Sequence, residues 1–363
     1  MKQKLSQISK INANSITKED KKRFLSYLDT ANLVDNKIIN FQRNYWENLP
    51  KSATRKVTEK TILYSKVRPV QMHNGIFTDL DFDNIVVSNA FFTVDVDESI
   101  ADPHFIYYYL TDRKQISKMQ ILAESSTTYP TLSLENIENF EIELPNINVQ
   151  VHIGKLLSSI DKKINLNNKI NDNLLKQAKH IYLHYFFNKK PNGFLNDLIK
   201  EFEKSKIFVK DAKEKKGKYP FYTSGDSILE FDRFLVDGRY CFLNTGGNAD
   251  IKFYAGKASY SSDTWCIYSE HKMTDYLYLL LHTAKEEINT KYFEGTSLKH
   301  LQKELLKKKA IYIPTEIEIS NFNRKIVPVL SAISANSREN WALTNYKNTL
   351  LPLLMNGQVT IDD

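Results

Sequence analysis

"SSIDKKINLNNKINDNLLKQAKHIYLHYF", Ser158–Phe186, fills the middle of a 363-residue chain and decides how the rest is read. With Ile153 as position a of a heptad, the a positions fall on Ile153, Ile160, Asn167, Leu174 and Ile181, and the d positions on Leu157, Ile164, Asn171, Ala178 and Tyr185. A seam repeating every seven residues packs a helix lengthwise on another helix rather than on a broad core. Lys162, Lys163, Lys169, Lys176 and Lys179 lie off the seam and stay in water. Pro145 upstream and "NKKPNG" from Asn188 downstream bracket the run with breakers. A helix over Val149–Phe187 extends roughly 55–60 Å at about 1.5 Å per residue, and a seam of that length needs a partner of similar length.

The chain supplies one. "FNRKIVPVLSAISANSRENWALTNYKNTLLPLLM" (Phe322–Met355) places Ile326, Val329, Leu330, Ile333, Leu343, Tyr346, Leu350, Leu351 and Leu354 at helical spacing, with a polar middle at Asn336, Ser337 and Asn340. Pro328 fits a first helical turn, whereas Pro352 frays or kinks the last. Two seams with polar middles predict an intramolecular antiparallel pair whose buried polar residues fix register. Its interface draws on Ile153, Leu157, Ile160, Ile164, Leu174, Ala178 and Ile181 of one helix and Ile326, Leu330, Ile333, Leu343, Leu350 and Leu354 of the other. The competing reading is two unrelated amphipathic helices, each packed on its own domain.

What precedes each helix is repeated. "LSLENIENFEIELP" (Leu132–Pro145) aligns with "LQKELLKKKAIYIP" (Leu301–Pro314), and "FIYYYL" (Phe105–Leu110) with "YLYLLL" (Tyr276–Leu281), at an offset near 170 residues throughout. That period means two copies of one domain-plus-helix unit, not a solenoid. Strand-like stretches fill each copy: "KTILYS", "NIVVSNAFFTV" and "FEIEL" in the first, "KYPFYTSG", "RYCFLNTGG", "KASYSS", "TWCIYS" and "KAIYI" in the second. The fold expected is α+β, two pseudo-repeated strand-rich domains with a pair of long antiparallel helices. The expected division is 1–146, a first strand-rich domain; 147–190, a central helix; 191–315, a second domain; and 316–363, a terminal helix.

Composition agrees with two globular domains, at 42% hydrophobic residues. The balance of 50 Lys and Arg against 43 Asp and Glu, a net charge of +7, suits a polyanionic partner without requiring one. No apolar leader begins the chain and no apolar run approaches the ~18 residues of a membrane span, so the expected location is the cytoplasm and no membrane partner is expected. Two cysteines, Cys241 and Cys266, are too few for a disulfide framework or a zinc site.

These residues carry a specific resemblance. "FLSYLDTANLVDNKI", "ILYSKVRP" and "VVSNAFFTV" in the first half, "GKYPFYTSG" and "GTSLKHLQKELLKKKAIYIP" in the second, and the junction "LPNINVQVHIGKLLSSIDKKINLNNKIN" are similar to the wording of the specificity subunits of type I restriction-modification systems. Val151 and His152 stand where many members have Glu-Gln. The resemblance implies target-recognition domains at 1–146 and 191–315, each followed by a spacer helix, together reading a bipartite site on double-stranded DNA. It also implies two methyltransferase (modification) subunits docked on the helices and restriction/translocase subunits in the full complex. No cofactor is expected in this chain, since S-adenosylmethionine, ATP and Mg are bound by those partner subunits.

Lys and Arg on phosphates supply affinity, and side chains on base edges supply specificity. The candidate DNA contacts in the first domain are Lys66, Arg68, His73 and Asn74, then Ser125, Thr127, Thr128 and Tyr129; Arg68 suits a guanine and Asn74 an adenine. In the second they are Tyr222, Ser224, Asn244, Thr245, Gly246, Gly247, Asn248, Lys252, Ser297, Lys299 and His300. The plain alternative for each is a solvated loop residue, or a cation paired within its own domain.

Enzyme signatures fail. "DPHF" (Asp102–Phe105) has His104 where the amino-methyltransferase signature has its second Pro, and reads as a strand end or helix cap. "DLDFDN" (Asp79–Asn84) lacks the glycine and glutamate of a calcium loop, and "GGNAD" lacks the Gly-Lys-Ser/Thr of a P-loop. "DAK" (Asp211–Lys213) lies in a lysine-rich stretch without a partner acid, and the eight histidines are scattered with no metal and no catalytic residue implied. The expectation is a non-catalytic DNA-recognition subunit. A scaffold protein that no longer reads DNA and a self-sufficient methyltransferase stay open.

Overall fold

The computed structural model describes residues 2–125, 130–214, 217–225 and 227–359. They form two compact units, Met1–Asn165 with Trp341–Asp363, and Leu166–Asn340.

In the first unit, strand Lys2–Lys4 pairs antiparallel with Glu141–Glu143 and runs straight into a one-turn helix, Leu5–Ile8. Between these ends lie two four-stranded sheets, ordered Gln42–Tyr45, Phe24–Leu28, Ile85–Ser88, Ala53–Lys56, and Ser9–Ile11, Phe91–Val96, Ile62–Ser65, Asn74–Ile76. The strand-like stretch "NIVVSNAFFTV" forms two strands, Ile85–Ser88 and Phe91–Val96, in different sheets. The turn at Asn89 and Ala90 breaks an apolar run that periodicity alone reads as continuous. Helix Pro103–Thr111 is capped by the Asp102 carboxylate, which accepts from Phe105 N at 2.8 Å, so "DPHF" is a helix cap. Proline at the first helical position suits a cap of this kind. Phe105, Ile106, Tyr108 and Leu110 of this helix pack with Ile62, Tyr64, Phe92 and Val94 of the second sheet in one core.

The central helix spans Ile147–Phe186. Within the first unit its seam residues Ile153 and Leu157 share that core with Leu354 of the terminal helix. Gly154 is required there, because a Cβ would run into the Asp102 carboxylate. Asp161, almost fully buried, accepts from the Tyr108 hydroxyl and from Lys347 Nζ, each at 2.7 Å.

The second unit repeats the frame. Gly193–Phe194 pairs antiparallel with Ala310–Ile311 and leads into a one-turn helix, Leu195–Leu198. Between them one six-stranded sheet runs Lys200–Glu201, Thr264–Tyr268, Val236–Asn244, Ile251–Tyr260, Tyr219–Tyr222, Ile228–Phe231. Helices Thr274–Thr283 and Lys285–Lys291 follow the sheet as Pro103–Thr111 and Arg113–Glu124 do in the first unit. Short helices Leu134–Glu138 and Lys303–Lys307 then precede the closing strand in each.

The terminal helix spans Glu316–Met355 and runs through both prolines. Pro328 therefore lies in its interior, not in a first turn, and Pro352 does not end it. The i−4 carbonyls these prolines leave without a donor belong to Arg324 and Asn348, which are exposed and can use water. The helix starts at a Thr-x-x-Glu capping box: Glu318 accepts from Thr315 N at 2.9 Å, and Glu318 N donates to Thr315 Oγ1 at 3.4 Å. In the second unit Phe322, Ile326 and Leu330 share a core with Ala178, Tyr182 and Phe186 of the central helix.

Between the apolar layers the seam is polar. Asn167, 2% exposed, donates to Glu339 Oε2 at 2.7 Å and Asn340 Oδ1 at 2.9 Å. Asn340 donates to Asn168 at 2.9 Å, and Asn336 to Asn171 at 2.8 Å. Partner numbers fall on one helix as they rise on the other, so the helices pack antiparallel. Of the other expected seam residues, Ile160 and Ala178 are buried, and Ile164, Leu174, Ile181, Ile333, Leu343 and Leu350 half-buried. Tyr346 is 54% exposed and lies off the seam.

Candidate nucleic-acid interface

In the first unit the end of strand Ile62–Ser65 is drawn against the segment that follows the "ESSTTYP" run. Val67 bridges Thr131, Leu132 N donates to Lys66 O at 2.8 Å, and Arg68 N donates to Pro130 O at 3.3 Å. Two candidate stretches some sixty positions apart in "ILYSKVRP" and "ESSTTYP" thereby meet. Thr127, Thr128 and Tyr129 lie outside the described residues. Ser125 is exposed at the end of helix Arg113–Glu124, its hydroxyl donating to Leu122 O at 2.8 Å.

Lys66 is half-buried with its ammonium 5.0 Å from the centre of the Phe92 ring. Burial, then the nearby Arg55 charge, lower its pKa. An anion placed there relieves both effects. Arg68 is exposed and stands in the left-handed region at φ 44°, a conformation costly for a side chain of this size. His73 is half-buried, its Nδ1 2.7 Å from Leu33 O. Asn74 departs from the expected adenine contact. It is wholly buried and its Oδ1 accepts from Ser65 N at 3.0 Å, so here it fixes the loop from within. Among the described residues its Nδ2 has no partner.

In the second unit four separated segments converge. Gly246 bridges His300, Gly247 N donates to Lys299 O at 2.9 Å, and Leu301 N to Thr245 O at 3.0 Å, tying "NTGGNAD" to "GTSLKH". Ser224 accepts from Thr245 N at 3.1 Å and donates to Asp263 O, which also accepts from Thr245 Oγ1 at 2.5 Å. Gly247 sits at φ 81°, where glycine avoids the strain of a side chain.

Lys252 holds this cluster together. Its ammonium donates to Thr223 O at 3.0 Å, Gly225 O at 2.7 Å and Asn244 Oδ1 at 2.9 Å, and lies 3.3 Å from Asp250. With the side chain 12% exposed and all its protons used, it organises the loops instead of offering a charge to phosphate. Burial raises the Asp250 pKa, but Lys285 and Lys252 outweigh it and leave the carboxyl lowered. Asn244 is likewise buried, its amide donating to Asn248 O at 3.2 Å. Tyr222 is core, stacked on Phe242 at 4.2 Å and 2°. The side chains left facing solvent are Asn248, Ser297, Lys299 and His300, with Ser224, Thr245 and the two glycines partly covered.

Beside them lies a cleft of about 860 Å³ lined by Ser224, Asn244, Asn248, Asp250, Lys285 and Asn289 among others. Lys285 and Asn289 carry no signal in the sequence that singles them out. Asn289 Oδ1 accepts from Ala249 N at 2.7 Å, a long-range contact that no local pattern announces. Among the described residues no group of three or more His, Cys, Asp or Glu is placed to hold a metal ion, and no helix is long and apolar enough to cross a membrane.

Two copies of one strand-and-helix plan, each leading into a long helix that packs on the other, define a duplicated α+β protein of the paired-helix type. The chain belongs to the family described as the type I restriction modification DNA specificity domain, whose family model matches residues 1–176 and again 191–345. It is 28% identical over 168 residues to the type I restriction enzyme HindI specificity subunit of Haemophilus influenzae, a match covering 46% of this chain and 36% of that protein. Against the EcoDI specificity subunit of Escherichia coli it is 23% identical over 154 residues, 41% of this chain and 34% of the relative. The chain's match thus spans about a third of the length of each of these two relatives. The MjaIX specificity subunit of Methanocaldococcus jannaschii is 22% identical over 386 aligned positions, 92% of this chain and 86% of that one. The crystal structure of a type I restriction-modification S subunit from M. genitalium superposes with a TM-score of 0.61 at 14% identity, covering 100% of this chain and 96% of that one, and shares its fold.

Proposed function

We propose that this chain is the non-catalytic DNA-specificity subunit of a type I restriction-modification enzyme, with one half-site of a bipartite target read by each strand-rich unit. The observation that carries the reading is the double match of the specificity-domain family, once in each half of the chain. The recognition domains are 1–146 and 191–315, and the helices at 147–190 and 316–363 set the gap between half-sites. B-DNA turns once per roughly 10–10.5 base pairs, so two readers need a fixed separation and phase.

In the first domain Lys66, Arg68 and Ser125 meet the duplex; in the second, Thr245, Gly246, Gly247, Asn248, Ser297, Lys299 and His300 do. Lys66, Arg68 and Lys299 serve phosphates or guanine edges, and the glycines admit the backbone closely. Methyltransferase subunits dock on the helices and supply the S-adenosylmethionine chemistry; ATP and Mg belong to the restriction subunits.

Methylome sequencing of cells carrying this chain with its methyltransferase tests the reading. The expected result is one methylated motif made of two short sequences with a constant gap. Methylation absent, or confined to a continuous motif, contradicts it. In gel shifts, binding of that duplex over a scrambled one must survive raised salt; salt-steep binding to every duplex alike points to a scaffold instead.

A further inference from the structure

The edge of the first four-stranded sheet carries an arrangement that the recognition loops do not use. Strands Phe24–Leu28 and Gln42–Tyr45 pair with Phe24 opposite Tyr45 and Ser26 opposite Arg43. Leu25 and Tyr27 fill the buried face at 3% and 4% exposure, so Phe24 and Ser26 share the other face. There the Phe24 and Tyr45 rings lie 4.3 Å apart, with Tyr45 48% exposed. Two guanidiniums stand over the same Phe24 ring, Arg43 at 4.4 Å and Arg23 at 5.3 Å from its centre.

Both arginines are exposed, and among the described residues neither has a carboxylate at ion-pair distance. Their charges are less than about 10 Å apart, roughly one Debye length at 0.1 M salt. The shallow depression between them, about 490 Å³, is lined by Lys22, Ser26 and Asn84 as well. Its one acid, Asp81, is bonded to Asn84 at 2.5 Å, and Lys22 Nζ donates to Asp83 O at 2.8 Å. Gathering two like charges on one ring is unfavourable in the free protein, and an anion that bridges them removes the repulsion. The ring also holds the guanidinium planes in place, which lowers the ordering cost of binding.

We infer that Arg23 and Arg43, held on the Phe24–Tyr45 ring pair, form a phosphate-binding fork for the backbone of duplex DNA outside the half-site contacted by the loops. The inference rests on the DNA-specificity reading for its ligand. Strand Ile85–Ser88 lies parallel beside Phe24–Leu28 with Ile85 opposite Ser26, and the chain continues to Ala90, whose carbonyl accepts from Lys66 N at 2.9 Å. Ile85–Ser88 is extended and Asn89–Ala90 turn, so this path is shorter than the roughly 17 Å of five fully extended residues. That is within about half a turn of B-DNA, so one duplex seated at Lys66 reaches both. The signal in the sequence is basic residues interleaved with aromatics, "RF" at 23–24 and "FQRNYW" at 41–46.

The test uses the full chain and fluorescence anisotropy on two probes, a mixed-sequence duplex and the duplex defined by methylation, titrated over salt. For R23Q/R43Q the slope of log affinity against log salt on both probes should fall by about 1.8, or about 0.9 for each phosphate no longer neutralised. The preference for one probe over the other should be unchanged. R23K/R43K keeps the charges and should keep the slope, and the single R43Q should show about half the effect of the double variant. An unchanged slope in R23Q/R43Q overturns the inference, as does intact DNA binding with weakened association of methyltransferase, which would assign the patch to a protein partner. If the unaltered chain shows no preference between the probes, the DNA-specificity reading fails separately, and the slope on the mixed duplex still decides the fork.

Discussion

Lys252 shows how far a single side chain can be read before its neighbours are known. As a lysine beside a Gly-rich loop it has the credentials of a phosphate contact, yet it is nearly enclosed by Thr223, Gly225, Asn244 and Asp250. Lys252→Met leaves three acceptors and a carboxylate without their shared donor. It should lower unfolding free energy by about 2–3 kcal/mol, measured as a drop in the urea midpoint, and loosen the 244–248 loop in hydrogen exchange. An unchanged midpoint would contradict the internal role.

Glu318 offers a residue-scale test in pH. Lys189, the Thr315 N–H and the Tyr312 hydroxyl hold its carboxyl at about 2, against an ordinary value of 4.5. A depressed folded pKa gives stability that is fully present above 4.5 and is lost as pH falls from 4.5 through 2. Glu318→Gln should therefore be less stable than the unaltered chain at pH 7, and the gap between their urea midpoints should narrow below pH 4.5. A gap constant from pH 7 to 3 would contradict this. Asn74 and Tyr222 mark the limit of residue-level reading: only packing against Ser65 and Phe242, outside their own stretches, puts them inside.

At the scale of elements, the seven-residue repeat makes the central helix legible because the 3.5-residue period is local information. The polar layer at Asn167 and Asn171 is visible too, but its partners are not, since nothing in one strand of text pairs Asn167 with Glu339. Pro328 lies inside the terminal helix and not in a first turn, and the Thr315-x-x-Glu318 box after Pro314 marks where the helix starts. The first domain's split strand is hidden because an apolar run carries no mark of which sheet it joins.

The polar layer makes a quantitative claim. Asn167→Leu removes the buried amide that donates to Glu339 and Asn340 and should cost about 1–3 kcal/mol. Asn340→Leu should cost a similar amount, and the double variant clearly less than the sum, because one interaction is then removed twice. Strict additivity in a urea-unfolding double-mutant cycle would show that these residues do not interact.

For the molecule as a whole, the duplication is legible because the offset near 170 residues recurs in three independent places: the buried helix, the short helix with its strand, and the long helix. The sheets are not. One unit builds two four-stranded sheets and the other a single six-stranded one, from sequences that share only the frame. A shared frame with different inserted strands and loops is what the proposed function needs, since each unit would then present a different surface to its half-site.

If the two units are modular, one can be exchanged without disturbing what the other reads. Residues 191–312 are replaced by the equivalent segment of another family member whose methylated motif is known, and the methylome is sequenced with the partner methyltransferase present. One half of the motif should become that of the donor while the other half and the gap persist. A motif altered in both halves, or in neither, would contradict modularity.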